Sequence, residues 1–379
     1  MKLSNRFMLC SIFFCSFLYS GYFLIDLVYI TLSSFLFIYL ISVKVKAKPL
    51  FLIFSLNILL FYLILQTALY SFHGISPFIN LWLSVGTYIV GQNIINSSEF
   101  TLLDNSKEKE YSFICIFGLL IIYIGFDVFI NIMNLIENGD YLRVILDPYA
   151  HYDYKKSSTL SDTNSLALML ICLYVVLDCV RLRRAKALSF LKLVALALIL
   201  LSFSKSAITA LILYRVFSIF GIIRFFQAHP IIMLTGYVLG FVGVSLIYSV
   251  FAGLDILGDS FISKINIFEM LTEYVGTADF MTIVFGSGLQ ESLVVFGMYS
   301  HVYLATVLVE AGIVGVFLNL AFLSFVALRT PNGFALVFMP LLIASMSYYP
   351  LHGMPWIFAS VVMAEKIIKS TKSNEAKLV

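Results

Sequence analysis

One histidine has the chemistry and the position of a general base. His301 follows a polar segment and begins a new apolar run, Ser300-His301-Val302-Tyr303-Leu304. A partly hydrated imidazole at such a boundary can accept a proton from a hydroxyl, because histidine titrates near neutral pH. The alternative is an interfacial histidine without a chemical role. We take His301 as the candidate catalytic residue.

Three basic residues could bind an anion on the same side of the chain. Arg143, Lys205 and Lys264 each lie near a predicted span or helix start, and the two long segments that contain Arg143 and Lys264 are net acidic. Arginine binds a diphosphate with two parallel hydrogen bonds, whereas lysine acts as a point charge. The alternative is a cation that faces water or anchors a helix end. The serines around Lys205 favour a ligand, and we expect all three to bind a substrate diphosphate.

Other charged residues lie within apolar runs, where they need a partner. Asp127 and Arg215 could line a cavity, and Arg215 could also extend inward or pair with an acid. His352 lies in the tight turn 349–355 between two predicted spans, where it could border the same cavity. Glu310 follows His301 by nine positions, so on one helix the two would face opposite ways. We therefore expect Glu310 to bond to a neighbouring helix.

Several kinds of site are not encoded in this sequence. It has no glycine-rich phosphate loop, no closely paired metal-binding aspartates and no zinc pattern. The five cysteines lie in or beside apolar runs, which is typical of packing. We expect no cofactor, no metal and no nucleic-acid partner. Any reaction would need a substrate that is already activated.

The composition predicts the elements that position these residues. The chain is 61% hydrophobic and 12% charged, about half the charge of a soluble domain. Its apolar runs of about 18 to 22 residues can each cross a bilayer as a helix. The prediction is an all-α, polytopic transmembrane bundle that forms one integral membrane domain over residues 1–379. Twelve spans are expected, at 7–20, 23–43, 50–70, 78–95, 112–132, 164–180, 187–203, 206–223, 231–251, 301–328, 333–349 and 355–368.

The basic residues set the predicted orientation. Eighteen of the 24 lysines and arginines fall on one side of these spans and five on the other. Positive residues favour the cytoplasm, so both termini are predicted to be cytoplasmic. Two long segments, 133–163 and 252–300, then lie outside. The second carries Ile265, Phe268, Leu271 and Val275 at helical spacing, with Glu269 and Glu273 on the opposite face, which indicates an amphipathic helix.

Five short motifs resemble a known family when they are taken in order. They are Asp162-Thr163-Asn164, Ser204-Lys205-Ser206, a basic residue (Lys264) that opens the amphipathic helix, Phe285-Gly286-Ser287-Gly288, and His301-Val302-Tyr303-Leu304 followed by Glu310-Ala311-Gly312-Ile313-Val314-Gly315. Over roughly 133–328 the chain resembles the O-antigen polymerase and O-antigen ligase superfamily. That family usually has arginine where Lys205 and Lys264 stand, so the charge is kept here but the paired hydrogen bonds are not.

The resemblance implies an inverting glycosyltransferase of the bacterial inner membrane. Its substrates would be undecaprenyl-diphosphate-linked oligosaccharides in membrane lipid, and a polysaccharide chain-length regulator would be a possible partner. The chain length and the aromatic-rich and isoleucine-rich composition favour a polymerase over a ligase. A transporter or flippase of the same lipid-linked sugar, and a structural assembly subunit, are the alternatives from other classes.

Overall fold

Twelve helices make up the regular structure of the part of the chain that can be described. The computed structural model describes residues 88, 107–137, 163–180, 185–202, 204–251, 258–288, 291–297, 302–344 and 354–375, and these contain no strand. The helices are α1 (Lys107–Glu137), α2 (Thr163–Cys179), α3 (Ala185–Leu201), α4 (Lys205–Ile219), α5 (Ile222–Ala228), α6 (Pro230–Phe251), α7 (Gly258–Thr277), α8 (Phe280–Phe285), α9 (Ser292–Phe296), α10 (Tyr303–Arg329), α11 (Pro331–Ala344) and α12 (Met354–Glu375).

The predicted helical class is confirmed over the described residues, and the number of spans stays a prediction. Two helices there, Pro230–Ile247 and Tyr303–Arg329, are long and apolar enough to cross a membrane, and a third results if α4 and α5 form one bent span. The chain is therefore a membrane protein with an all-helical described part. The predicted spans at 7–20, 23–43, 50–70 and 78–95 lie outside the described residues, apart from Tyr88.

A three-helix unit of α2, α3 and α4 is fixed by polar contacts at both ends. At one end, Asn164 at the start of α2 meets Ser204, which follows α3. At the other end, Asp178 of α2 contacts Lys192 of α3 and Arg215 of α4. Each helix of the unit must therefore run antiparallel to the next one in the chain. About 21 Å separates the Asn164 end from the Asp178 end along α2.

The predicted span 206–223 is not one continuous helix. α4 ends at Ile219, and α5 leaves it at an angle of 83°. Gly221 has φ 72°, a left-handed conformation that costs glycine little, and its N–H donates to the carbonyl of Ser218. Isoleucines and phenylalanines on both sides of Gly221 hid this break in the apolar pattern.

α10 is also broken, at Gly312. This residue has φ 65° and ψ −171° inside the helix. Tyr303 donates a hydrogen bond of 2.5 Å to Asn319, sixteen residues later in α10. A straight helix would separate these residues by about 24 Å, further than the two side chains reach. The first arm of α10 (303–311) is therefore folded back toward the second arm (313–329).

α7 has the predicted amphipathic form. Ile265, Phe268 and Leu271 are buried, while Glu269 and Glu273 are exposed. Val275, expected on the buried face, is 42% exposed because the packed part of the helix ends before it. The buried face packs on α6, with the Phe241 and Phe268 rings 5.6 Å apart, and on the first arm of α10. α7 thus packs against α6, which is a candidate span.

Candidate functional site

Two of the motifs singled out in the sequence meet in a buried polar cluster. Ser204 donates a hydrogen bond of 2.7 Å to the Asn164 side-chain oxygen, forty residues earlier. The Ser204 hydroxyl also lies 3.2 Å from that of Ser206 and accepts a hydrogen bond from the Ala207 N–H. Ser204 is therefore both the N-cap of α4 and the link from α4 to α2. We call Asn164, Ser202, Ser204 and Ser206 the serine cluster.

Lys205 stands beside the serine cluster and is exposed. It is the first residue of α4, directly after its N-cap. A cation here is disfavoured by the helix dipole, whose positive end is at the N-terminus. The position therefore combines the Lys205 charge, the first N–H groups of α4 and the hydroxyls of the cluster. Anion binding by Lys205 stays a prediction.

Two other motifs, far apart in the chain, also contact each other. The Ser287 N–H donates to the Val309 carbonyl at 2.8 Å, and the Gly288 N–H donates to the Glu310 carbonyl at 3.1 Å. These carbonyls face the break at Gly312, where the helix no longer supplies their usual N–H donors. Ser287 and Gly288 therefore satisfy the backbone carbonyls of the broken helix. We call this contact the glycine clasp.

Glycine is required on both sides of the clasp. A Cβ added to Gly286 would lie 2.5 Å from the Ala311 nitrogen, and one added to Gly312 would lie 2.5 Å from the Gly286 nitrogen. Both residues also have positive φ values. The chain approaches Gly312 closely because this residue has no Cβ. Its neighbour is the end of α8 and the turn that follows.

Side chains reinforce the clasp on two sides. Ser292 of α9 donates a hydrogen bond of 2.5 Å to the buried Glu310 carboxylate. The Tyr274 and Ser287 hydroxyls lie 2.6 Å apart. Burial raises the pKa of Tyr274, so its hydroxyl keeps its proton at neutral pH and can donate. The expected bond from Glu310 to a neighbouring helix is confirmed, with Ser292 as the partner.

A charged cluster occupies the Asp178 end of the three-helix unit. The Asp178 carboxylate lies 3.0 Å from the Lys192 ammonium and 3.2 Å from the Arg215 guanidinium, and it accepts a hydrogen bond from the Tyr214 hydroxyl. Arg215 also stacks over the Tyr174 ring at 4.9 Å. Of the two alternatives for Arg215, pairing with an acid is the one observed.

The described residues contain only part of the predicted site. Lys205 is at the Asn164 end, whereas Arg215 is at the opposite end of the same unit, so these two residues belong to different sites. Asp127 is 0% exposed within α1, and its proposed place beside a cavity stays a prediction. Lys264 lies on α7, but its side chain is not described. His301, Arg143 and His352 lie outside the described residues.

The sequence indicated which polar residues need a bonding partner, but it did not identify those partners. It singled out Ser204, Glu310 and Arg215, but it did not predict Asn164, Ser292 and Asp178 as their partners. Each partner is a polar residue next to or inside an apolar run, where an unpaired polar group is costly. That cost shows that a partner exists, but the sequence does not say which one.

Comparisons with known proteins give no match to this chain, whether with family models, curated proteins or solved structures.

Proposed function

We propose that this protein is a surface-polysaccharide polymerase of the O-antigen type in the bacterial inner membrane. It transfers a growing glycan from undecaprenyl diphosphate to a newly delivered, lipid-linked repeat unit on the periplasmic face. Diphosphate is a good leaving group when cations neutralise its developing charge, so the chain's own basic residues can support this chemistry.

The pairing of the motifs is the observation that supports the proposal. The resemblance rests on short motifs spread over the chain, and four of them meet in pairs. Asn164 accepts a hydrogen bond from Ser204 beside Lys205, and Ser287 and Gly288 donate hydrogen bonds to the carbonyls before Gly312. Chance similarity of short motifs gives no reason for such contacts. Such contacts are expected between motifs that share a function.

Each proposed residue has a defined role. Lys205, Arg143 and Lys264 neutralise the diphosphate of the donor. His301 removes the proton from the acceptor hydroxyl, a step typically worth about 10² to 10⁴ in rate. The glycine clasp holds the end of the first arm of α10, the arm that begins two residues after His301, against α8 and the turn that follows it.

A complementation experiment tests the role of His301. Cells that lack this protein would receive either the wild-type chain or His301→Ala, and surface polysaccharide would be separated by length. We expect His301→Ala to reach the membrane at the wild-type level and to yield only unpolymerised repeat units. Wild-type polymer lengths from this variant would remove His301 from the mechanism.

A broken helix such as α10 also occurs in a second candidate class, a transporter or flippase of the same lipid-linked sugar. Broken helices in transporters leave backbone carbonyls free to coordinate ions. Here Ser287 and Gly288 occupy the carbonyls of Val309 and Glu310, which fits a fixed structural break better than an ion site. The two functions differ in their product, since a transporter moves the repeat unit without lengthening it. A ligase would transfer a finished glycan to a different acceptor.

A further inference from the structure

We propose that α8 lies at the edge of the hydrocarbon layer of the bilayer and that its exposed apolar side chains contact lipid acyl chains. The inference concerns how the 258–297 segment meets the membrane, and it does not depend on the polymerase proposal. Two apolar side chains of α8 are exposed. Phe280 is 75% exposed and Met281 is 58% exposed, which is a large apolar surface for a helix of six residues.

The apolar surface of α8 continues onto a candidate membrane span. Ile313 and Phe317, one turn apart at the start of the second arm of α10, are also largely exposed. The end of α8 touches this arm directly, because a Cβ added to Gly312 would collide with the Val284 carbonyl. Lipid is the partner expected at exposed apolar residues of a membrane span. Lipid is therefore also the partner of the exposed apolar residues of α8.

The length of the second arm places α8 near a boundary of the hydrocarbon. Residues 313–329 span about 25 Å, compared with about 30 Å for the hydrocarbon core. Arg329, at the far end, is exposed and suits one polar boundary. The break at Gly312, with α8 against it, then lies close to the other boundary.

The polar residue at the start of α8 also fits a position close to the boundary of the hydrocarbon layer. Asp279 caps the helix, and its carboxylate accepts hydrogen bonds of 3.0 Å from the Thr282 N–H and 2.6 Å from the Thr282 hydroxyl. These bonds lower the pKa of Asp279, so the exposed carboxylate stays ionised and needs water or lipid headgroups around it. An ionised cap next to exposed apolar residues is the arrangement of an interfacial helix.

Tryptophan fluorescence in lipid nanodiscs tests the proposal. The two native tryptophans, Trp82 and Trp356, would be replaced by phenylalanine. Phe280→Trp and, separately, Met281→Trp would then report on α8, so that one variant remains if the other fails to fold. Glu269→Trp, on the exposed polar face of α7, is the matched control. The quenchers are phospholipids brominated near the headgroup end of the acyl chain, and acrylamide in the water.

We expect brominated lipid to quench both α8 variants more strongly than the Glu269→Trp control, and acrylamide to quench the control more strongly. If acrylamide quenches the α8 variants as much as the control and brominated lipid does not, α8 faces water and the proposal is wrong. If neither quencher acts on them, protein covers α8, and the proposal is equally wrong.

Discussion

The backbones of Gly286 and Gly312 touch, although 26 residues separate them in the chain. A Cβ on either residue would enter the backbone of the other segment. The contact occurs where α10 is broken, and the N–H groups of the next residues, Ser287 and Gly288, satisfy the carbonyls before the break. Two motifs that the sequence shows as separate thus form one structural unit.

Alanine at either glycine should destabilise the protein. Gly312→Ala also forces a non-glycine residue into a strained backbone conformation, which costs about 1–3 kcal/mol before the steric overlap is counted. We expect lower thermal unfolding temperatures in detergent for Gly286→Ala and Gly312→Ala. Gly276→Ala is the matched control, because a Cβ at Gly276 meets nothing within 4 Å. Equal unfolding temperatures for all three variants would show that the clasp does not form.

The hydrogen bond from Ser292 to Glu310 should stabilise the clasp. Ser292→Ala removes a donor from a buried carboxylate, a loss of about 1–3 kcal/mol. Glu310→Gln keeps an acceptor for the Ser292 hydroxyl and should cost less. The thermal unfolding temperatures of the two variants show which substitution destabilises the protein more. The reverse order would mean that Glu310 is stabilised mainly by contacts other than Ser292.

These contacts show how far the sequence could predict the structure. Apolar runs predicted the ends of α2, α3, α6 and α10 within a few residues. The helical spacing of apolar residues predicted the buried face of α7, and its glutamates predicted the exposed face. The break at Gly312 and the turn at Gly221 were missed, because a glycine within an apolar run has the same pattern whether the helix continues or bends. The pairing of Asn164 with Ser204 depends on how three helices pack, which no local pattern contains.

Asp178 should contribute more to stability than either of its cationic partners. Asp178→Asn leaves the Lys192 and Arg215 charges close together without a carboxylate, whereas Lys192→Gln or Arg215→Gln removes one ion pair. A partly exposed pair is worth about 0.2–1 kcal/mol, so the two single losses should be small. Thermal unfolding of the three variants gives the comparison, with Lys186→Gln at an exposed position as the control. A shift for Asp178→Asn no larger than for Arg215→Gln would contradict the shared carboxylate.

The charge of Lys205, rather than its shape, should matter for polymer formation. Lys205→Ala removes the cation beside the serine cluster and should shorten or abolish the polymer in cells that lack the wild-type protein. Lys205→Arg keeps the charge and should retain polymer. Lys186→Ala is the control for loss of an exposed lysine elsewhere. Full-length polymer from Lys205→Ala, at wild-type membrane levels, would leave Lys205 as a helix-end anchor.

Reconstitution tests the proposed function most directly. Lipid-linked repeat units would be extracted from cells that lack this protein and incubated with the purified protein in liposomes, and the glycans would then be separated by length. We predict a ladder of products that differ by one repeat unit, formed without added metal or nucleotide. Repeat units that remain single after incubation with correctly folded protein would contradict the polymerase proposal.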